Sequence, residues 1–396
     1  MENNKFNETI TLLQQLVQIR SPYFEENEAI EFAKNWMENN GIPAKFHEYT
    51  EEKVTGFHGK NVYSIVESGK TGPTIYFNGH LDTVRLCKGW TKDPFGGEIE
   101  GDRLYGVGAL DMKGGCAAIM VAIKEFLKDY QDFKGKIITS LVSDEEGPYG
   151  LGTSAVIADG LIKDVDVTIC AEPSAAFTKA PFPCICLGAR GAYGLSVEFF
   201  GTAAHAANPE SGVNAAIEAA KMLTHLENVS FPIDKELGKG CLCVTKITSD
   251  GGACSVPDYA KIDIFWHIVR GDSKESITAS LEDVIQKSGV KCKYKISFRP
   301  APSKATDGLL PYTISRQDPY LLTLISAIKE CTGKEPTLNY FDSNGDFNYL
   351  GTLLDAPCII LGPNGENYHS ADEYVNLTSL TATSESIYNF LVKTLT

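Results

Sequence analysis

A histidine and an aspartate, two residues apart, follow an apolar run in the first quarter of the chain. Residues 74–77 read Thr-Ile-Tyr-Phe, which is typical of a buried strand, and Asn78-Gly79 favours a turn directly before His80 and Asp82. In an open α/β sheet, the loops beyond the strand ends line the ligand crevice. The pattern predicts an active-site position for both side chains, although a capped turn with a hydrogen-bonded histidine would have the same local sequence.

Further acidic and imidazole side chains lie at the end of a predicted strand, before a predicted helix or in a polar loop: Asp111, Glu145, Glu146, Glu172 and His369. Each has an ordinary explanation, since an aspartate before a helix can be its N-cap and a glutamate pair can form a solvated turn. Together they supply the nitrogen and oxygen ligands that suit Zn²⁺. One carboxylate shared between two metals, with another left as general base, would form a co-catalytic centre.

Composition is that of an ordinary globular protein, with 396 residues, 43% hydrophobic and 22% charged. No apolar run approaches the roughly 18 residues that a membrane span needs. The formal net charge of −15 disfavours nucleic acid and anionic membrane as partners. Residues 1–5 lack the pattern of a signal peptide, so we expect a cytoplasmic protein.

Eleven cysteines in a chain of this length argue against a disulfide framework and agree with a reducing compartment. Two pairs have the spacing Cys-x-Cys, Cys184 with Cys186 and Cys241 with Cys243. Both pairs lie in apolar stretches, so we predict ordinary buried thiols on strands rather than metal ligands.

The order of predicted elements indicates a larger domain interrupted by a smaller one. Helices and strands alternate up to about residue 183, which implies a largely parallel sheet. From 185 to 300 the order becomes strand, helix, strand, strand, helix, strand, which is typical of a compact α+β module. The α/β pattern then returns, so we predict a discontinuous domain of residues 1–184 and 301–396 with an inserted domain of residues 185–300.

Four motifs in combination resemble those of a known family: GHLDTV at 79–84, GVGALDMKGG at 106–115, DEEG at 144–147 and Glu-Pro at 172–173. The chain is similar to the co-catalytic zinc hydrolases that include acetylornithine deacetylase, succinyl-diaminopimelate desuccinylase, aminoacylase, carboxypeptidase G and bacterial di- and tripeptidases. The resemblance implies an α/β fold, in which a mostly parallel-sheet zinc-hydrolase catalytic domain carries an inserted α+β lid and dimerisation domain.

The resemblance also implies two zinc ions per subunit, with Co²⁺ or Mn²⁺ as possible replacements. His80 and Glu172 would bind one metal, Glu146 and His369 the other, and Asp111 would bridge both. A cis peptide bond after the bridging aspartate is implied as well.

In the mechanism that the resemblance implies, zinc-bound hydroxide attacks the amide carbonyl. Glu145 acts as general base and then as general acid, and Asp82 hydrogen-bonds the far nitrogen of His80. His205 would stabilise the tetrahedral oxyanion, often from the partner subunit of a homodimer formed through the lid domain. An alternative role for His205 is to cap the helix predicted from about residue 212.

The match is weaker where relatives bind the substrate. Arg190 stands at an expected arginine, but Cys254 occupies a position that is often asparagine, and His267 one that is often arginine. Arg270 cannot replace that arginine directly if it faces the other side of its strand. The loop at 344–346 resembles the family's loop near the leaving group. The predicted substrate-binding residues are therefore Arg190, His267, Asn344 and Gly345.

Glutamate at position 172 accompanies deacylases and carboxypeptidases within the family. The resemblance therefore implies a metal-dependent amidohydrolase that removes an acyl group from an N-acyl amino acid. The alternative is a zinc exopeptidase or dipeptidase that acts on a short peptide. A non-catalytic binding protein is disfavoured because no expected metal ligand or base is missing from the sequence.

Overall fold

The computed structural model describes residues 5–396, so most of the N-terminal segment considered above for an export signal lies outside the described residues. The chain divides into two compact units, a larger one with residues up to 189 and Tyr312–Thr396, and a smaller one, Arg190–Pro311. The strand Cys184–Ala189 thus belongs to the larger unit. The roles of the two units as catalytic and lid domains stay predictions.

In chain order the strands are β1 (Lys45–Glu51), β2 (Phe57–Glu67), β3 (Thr74–His80), β4 (Ile99–Glu100), β5 (Arg103–Tyr105), β6 (Lys136–Val142), β7 (Val167–Cys170), β8 (Cys184–Ala189), β9 (Gly191–Phe200), β10 (Ile233–Asp234), β11 (Gly238–Lys239), β12 (Cys241–Ser249), β13 (Tyr259–Ile268), β14 (Lys293–Phe298), β15 (Tyr312–Thr313), β16 (Thr337–Phe341), β17 (Cys358–Ile360), β18 (Gly365–Glu366) and β19 (Tyr374–Asn376). The α-helices are α1 (Glu8–Val17), α2 (Asn27–Asn39), α3 (Lys113–Asp129), α4 (Leu151–Ala158), α5 (Ser174–Thr178), α6 (Ala215–Leu223), α7 (Lys274–Lys287), α8 (Pro319–Thr332), α9 (Phe347–Leu353) and α10 (Leu377–Leu395).

The larger unit contains a mixed sheet with the strand order β1-β2-β6-β3-β7-β17-β8-β15, and β16 pairs with β8. Its centre is parallel, since β3 pairs in parallel with β6 and β7, and β7 with β17. The pairs of β1 with β2 and of β2 with β6 are antiparallel. The predicted α/β class is confirmed, and the parallel centre brings several strand ends to one edge.

Both faces of this sheet are covered at its centre, because β3 is buried along its whole length. Ile75 and Phe77 pack into one apolar cluster, to which α1, α3, α8 and α10 contribute, while Tyr76 points into a second cluster that includes residues of α4 and α9. A strand buried on both faces reads as a continuous apolar run, as residues 74–77 do.

The predicted turn at Asn78-Gly79 is wrong, because β3 continues through both residues to His80. A Cβ atom at Gly79 would lie 2.8 Å from Cys116 Sγ and 3.0 Å from Met112 Cε. This glycine therefore allows the strand to pack closely against the start of α3, rather than providing a turn.

The smaller unit has an antiparallel sheet of order β12-β13-β9-β14, which shares an apolar core with α6 and α7. Cys241 and Cys243 are exposed on the edge strand β12, so the prediction of buried thiols is wrong for this pair. It is confirmed for Cys184 and Cys186 on β8, a strand inside the larger sheet. In the described part of the chain, no helix combines the length and apolar character required to cross a bilayer.

Candidate active site

Three adjacent parallel strands deliver the first group of predicted site residues to one edge of the larger sheet. His80 is the last residue of β3, Glu145 and Glu146 follow β6, and Glu172 follows β7. Because the carboxyl ends of parallel neighbours meet at the same edge, these side chains converge although they are far apart in sequence.

Loops bring Asp111 and His369 to the same edge. Asp111 lies immediately before Met112, and Met112 is the N-cap residue of α3, so the N-cap explanation does not apply to Asp111. The peptide bond between Asp111 and Met112 is cis, which confirms the expectation from the resemblance. His369 lies between β18 and β19 in a positive-φ conformation, with φ 58°.

The carboxylate of Asp111 lies between the two histidines. His80 Nε2 is 3.5 Å from Asp111 Oδ1, and His369 Nε2 is 3.2 Å from Asp111 Oδ2. His80 Nε2 is also 3.6 Å from Glu172 Oε1 and 3.8 Å from Glu145 Oε2, while His369 Nε2 is 2.9 Å from Glu146 Oε1. One carboxylate thus presents a different oxygen to each imidazole.

These distances form two overlapping groups of potential metal ligands, namely His80 with Asp111 and Glu146, and His80 with Glu145 and Glu172. Within each group the ligand atoms lie within 4.8 Å of one another. His80 Nε2 and Glu172 Oε2 are buried and have no hydrogen-bond partner among the described residues. A buried imidazole nitrogen and carboxylate oxygen without partners fit a divalent metal, because nitrogen and oxygen are its ordinary ligands.

Burial and neighbouring charges shift the pKa values of these groups. Burial raises the pKa of Glu145 and that of Glu146 to about 8, and it raises the pKa of Glu172 well above its usual value. Burial alone would lower the pKa of His369, but the carboxylates of Asp111 and Glu146 raise it to about 11. The clustered carboxylates therefore favour bound cations, whether protons or metal ions.

Asp82 supports the site through backbone groups. His80 Nδ1 donates to the main-chain carbonyl of Asp82 at 3.0 Å, whereas the Asp82 carboxylate is 3.5 Å away. That carboxylate instead accepts the backbone N–H groups of Glu145 and Glu146, at 3.2 and 2.9 Å. When His80 is neutral, its proton lies on Nδ1 and its lone pair on Nε2, and this tautomer is held by a carbonyl rather than by the expected carboxylate.

Glu373 was not predicted as a site residue. Its buried carboxylate accepts three backbone N–H groups, from Gly108 at 2.9 Å, Leu110 at 2.9 Å and Asp111 at 3.0 Å. It therefore holds the loop that positions the Asp111 carboxylate. The available signal was a glutamate beside β19, four residues after His369, but an acidic residue at that position does not by itself indicate a buried contact 262 residues away in sequence.

A cleft of about 210 Å³ opens beside the cluster within the larger unit. Asn344 lines it, and its buried Oδ1 has no hydrogen-bond partner among the described residues. A Cβ atom at Gly345 would lie 2.8 Å from Glu145 Oε1, and the backbone N–H of Asp346 donates to this oxygen at 3.2 Å. The predicted substrate loop therefore contacts the predicted general base.

Three predicted residues belong to the smaller unit. His205 is exposed and its Nδ1 accepts the backbone N–H of Ala207 at 3.1 Å; it does not cap α6, whose N-cap is Asn214. Arg190 Nε donates to the main-chain carbonyl of Leu237 at 2.8 Å.

His267 lies on β13, opposite Cys241, with 3.7 Å between its Nδ1 and the thiol sulfur. Arg270 forms ion pairs with Asp234 and Glu236, both at 2.7 Å. The guanidinium of Arg270 is thus engaged by two carboxylates of the same unit.

The chain is similar to proteins of a known family. A family model described as peptidase family M20/M25/M40 matches residues 76–393. The chain is 26% identical to the succinyl-diaminopimelate desuccinylase of Hydrogenovibrio crunogenus, over 98% of this chain and 99% of that protein.

Two solved structures share the fold. An M20 family metallo-carboxypeptidase from Sulfolobus solfataricus has a TM-score of 0.78 and 18% identity, with 97% of this chain and 98% of that chain covered. The aminopeptidase PepT from Bacillus cereus has a TM-score of 0.75 and 20% identity, with 97% of both chains covered.

Proposed function

Because the chain belongs to peptidase family M20/M25/M40 and is a hydrolase of that family, we propose that it is a metal-dependent amidohydrolase that removes the acyl group from an N-acyl amino acid. The observation that carries the proposal is the Asp111 carboxylate, whose two oxygens face the imidazoles of His80 and His369. The similarity to a desuccinylase over nearly the whole of both chains favours deacylation over peptide hydrolysis.

The residues fit two zinc ions, with Co²⁺ or Mn²⁺ as substitutes. His80 and Glu172 would hold one ion, Glu146 and His369 the other, and Asp111 both. When bound, the ions act as Lewis acids that lower the pKa of a coordinated water and polarise the amide carbonyl.

Glu145 is the proposed general base and acid. Its carboxylate lies beside His80 but is held by the Asp346 backbone, and burial raises its pKa to about 8. A carboxylate with a raised pKa can take a proton from the attacking water and return it to the leaving nitrogen near neutral pH. Asp82 positions this residue by accepting its backbone N–H.

We propose that His205 donates a hydrogen bond to the developing oxyanion. Because its Nδ1 accepts the Ala207 N–H, the neutral ring carries its proton on Nε2, which is then the donor. Arg190, His267, Asn344 and Gly345 are the proposed substrate-binding residues.

Substrate hydrolysis with metal analysis on one preparation tests this function. Acetylornithine, succinyl-diaminopimelate, simple N-acetyl amino acids and dipeptides would be assayed before and after removal and return of zinc. We expect N-acyl amino acids to be hydrolysed by protein that holds two metal ions per chain. Hydrolysis of dipeptides alone would contradict deacylation and favour the peptidase alternative.

We further propose a cytoplasmic homodimer formed through the smaller unit. The edge strand β12 supports the interface, since it leaves Ile247 56% exposed and has one unpaired edge in the sheet order. All eleven cysteines are free thiols, which suits a reducing compartment. Light scattering of the purified protein should give twice the mass of one chain. The Ile247→Lys variant should give the mass of one chain.

A further inference from the structure

The cleft beside the candidate metal ligands has an aromatic wall, formed by Phe177, Phe341, Phe347 and Tyr368. Each ring contacts the next one along the wall. Phe177 stacks on Phe341 with 4.5 Å between centroids and 19° between planes, and it meets Tyr368 edge-on at 5.0 Å. Phe341 meets Phe347 edge-on at 5.4 Å. Phe177 and Tyr368 are partly exposed, whereas Phe341 and Phe347 are 7% and 1% exposed, so the first two rings form the apolar surface of the wall and the other two support it.

Three of the four rings are placed by a segment that also places a site residue. Phe177 lies on α5, directly after the strand end that delivers Glu172, and Tyr368 precedes His369. Phe347 begins α9, two residues after Gly345. A group of the substrate next to the reacting amide would consequently lie against this wall.

The charges in the cleft also influence which substrate groups can bind there. Among the described residues that line it, none is lysine or arginine, and Asp342, which is not among the proposed metal ligands, adds another carboxylate. The zinc ions of the proposed function would offset the charge of the ligand carboxylates, but Asp342 is not a proposed ligand. A free carboxylate of the substrate placed against the rings would therefore meet the charge of Asp342 without a basic side chain from this cleft. An uncharged ring would gain apolar and edge-to-face contacts.

We infer that the aromatic wall is a specificity subsite for an aromatic or bulky apolar group on one side of the scissile amide, and that it disfavours a carboxylate-bearing group such as succinyl. The inference rests on the proposed amidohydrolase function, for which it names the substrate class. It separates this chain from a strict desuccinylase while keeping the same hydrolytic residues.

Binding is the direct test, because it does not require turnover. Glu145→Gln protein loaded with zinc would be titrated calorimetrically with two matched pairs of ligands. N-acetyl-L-phenylalanine against N-acetyl-L-aspartate varies the amino-acid side, and N-benzoylglycine against N-succinylglycine varies the acyl side. We expect the aromatic member to bind at least about tenfold more tightly in one pair, the scale of discrimination by an apolar pocket.

Variants of Phe177 test whether the aromatic wall causes the preference for aromatic ligands. Phe177→Ala in the same background should reduce it to less than about threefold, whereas Phe46→Ala, which removes a 37% exposed ring on β1, should leave it unchanged. Phe177→Leu keeps most of the apolar volume and serves if the alanine variant does not fold; it should give an intermediate preference. Thermal denaturation of each variant shows whether the fold is intact.

The outcomes distinguish this inference from the proposed function. Equal or tighter binding of the carboxylate member in both pairs, or a preference that survives both Phe177 variants, would overturn the aromatic subsite. If the parent protein then still hydrolyses N-acyl amino acids, the proposed function stands alone. If aromatic ligands are preferred but no N-acyl amino acid is hydrolysed, the subsite stands and the deacylase function fails.

Discussion

The two histidines that face Asp111 lie in different environments. His80, at the end of a fully buried strand, is 1% exposed, and its neighbour Glu172 is 2% exposed. The side chain of His369, on a loop between two short strands, is 47% exposed and already lies at hydrogen-bond distance from Glu146. We call the first pair the buried half of the site and the second pair the exposed half.

The two halves differ in how closely the imidazole approaches the neighbouring carboxylates. In the buried half, His80 Nε2 stays 3.5 Å or more from the carboxylates of Asp111, Glu172 and Glu145, so packing keeps these groups apart. In the exposed half, the side chains satisfy each other directly. The proposed ligands of the buried half are therefore held apart by the fold, whereas those of the exposed half hydrogen-bond each other and would have to give up this bond to hold a metal.

Glu145 lies next to the buried half, with a ligand atom within 4.8 Å of those of His80 and Glu172. Its carboxylate could therefore be a metal ligand or the general base. We expect Glu145→Gln to reduce kcat by about 10²–10⁴-fold, the usual contribution of general acid–base catalysis. The two bound metals should remain. Steady-state kinetics and metal analysis measure both.

Glu48→Gln, an exposed glutamate on β1, is the matched control and should keep full activity. A Glu145→Gln protein that holds one metal fewer would make Glu145 a ligand. One that is as active as the parent would remove it from the mechanism.

The contrast between the halves predicts that His80→Ala and His369→Ala lower the free energy of unfolding by different amounts. Burial alone would lower the pKa of His80, but the surrounding carboxylates raise it well above its usual value, so His80 of the metal-free protein is their cationic partner. His80→Ala removes this partner, and we expect a loss of about 3 kcal/mol in the free energy of unfolding of the metal-free protein. His369→Ala removes a half-exposed side chain and should change that free energy by less than about 1 kcal/mol. Urea denaturation in the presence of a chelator compares the two; equal losses would break the comparison.

The convergence of His80 and Glu172 could be predicted from the sequence, because both follow apolar strands and parallel strand ends meet at one edge. It also predicted the alternation of elements that builds the larger sheet. The turn at Gly79 was predicted wrongly, since a glycine needed for packing against Cys116 looks the same in sequence as one needed for a turn.

Contacts between distant segments were not predictable in the same way. Nothing near Glu373 indicates that its carboxylate holds the loop of Asp111, and the four rings of the aromatic wall come from segments as far apart as α5 and the loop before β19. The exposure of Cys241 depends on β12 being an edge strand, which is a property of the assembled sheet. Local patterns do not contain this information.

Glu373 positions the one residue that both halves share, so its loss should weaken the metal site without dismantling it. Glu373→Gln keeps the shape, but an NH2 group replaces one of the two oxygens that accept the backbone N–H groups of Gly108, Leu110 and Asp111. We expect metal affinity to fall by about 10–100-fold, as for other residues that support ligands. Competition with a chromogenic chelator measures the affinity.

The matched control is Glu366→Gln, an exposed glutamate on β18. It should not change the affinity. Unchanged affinity in Glu373→Gln itself would show that the Asp111 loop keeps its conformation without this carboxylate.

Buried carboxyl groups near the buried half make the stability of the protein depend on pH. Glu26 is 2% exposed, and neither carboxylate oxygen has a hydrogen-bond partner among the described residues. Burial, followed by the nearby charge of Asp82, raises its pKa to about 8, and burial raises that of Glu373 to about 8 as well. The folded chain therefore keeps protons on these groups that the unfolded chain releases near pH 4.5.

The sign follows from this difference in bound protons. Between about pH 4.5 and 8 the folded state binds more protons than the unfolded state, so these groups make the metal-free protein less stable as pH rises. Glu26→Gln removes one such group. We expect it to raise Tm by a few degrees at pH 8 and to leave Tm unchanged at pH 4.5, with Glu28→Gln, an exposed neighbour, neutral at both. A Tm that rises from pH 5 to 8 for the parent protein in the presence of a chelator would contradict this pH dependence. It would mean that the buried carboxyls are already ionised and stabilised by other partners.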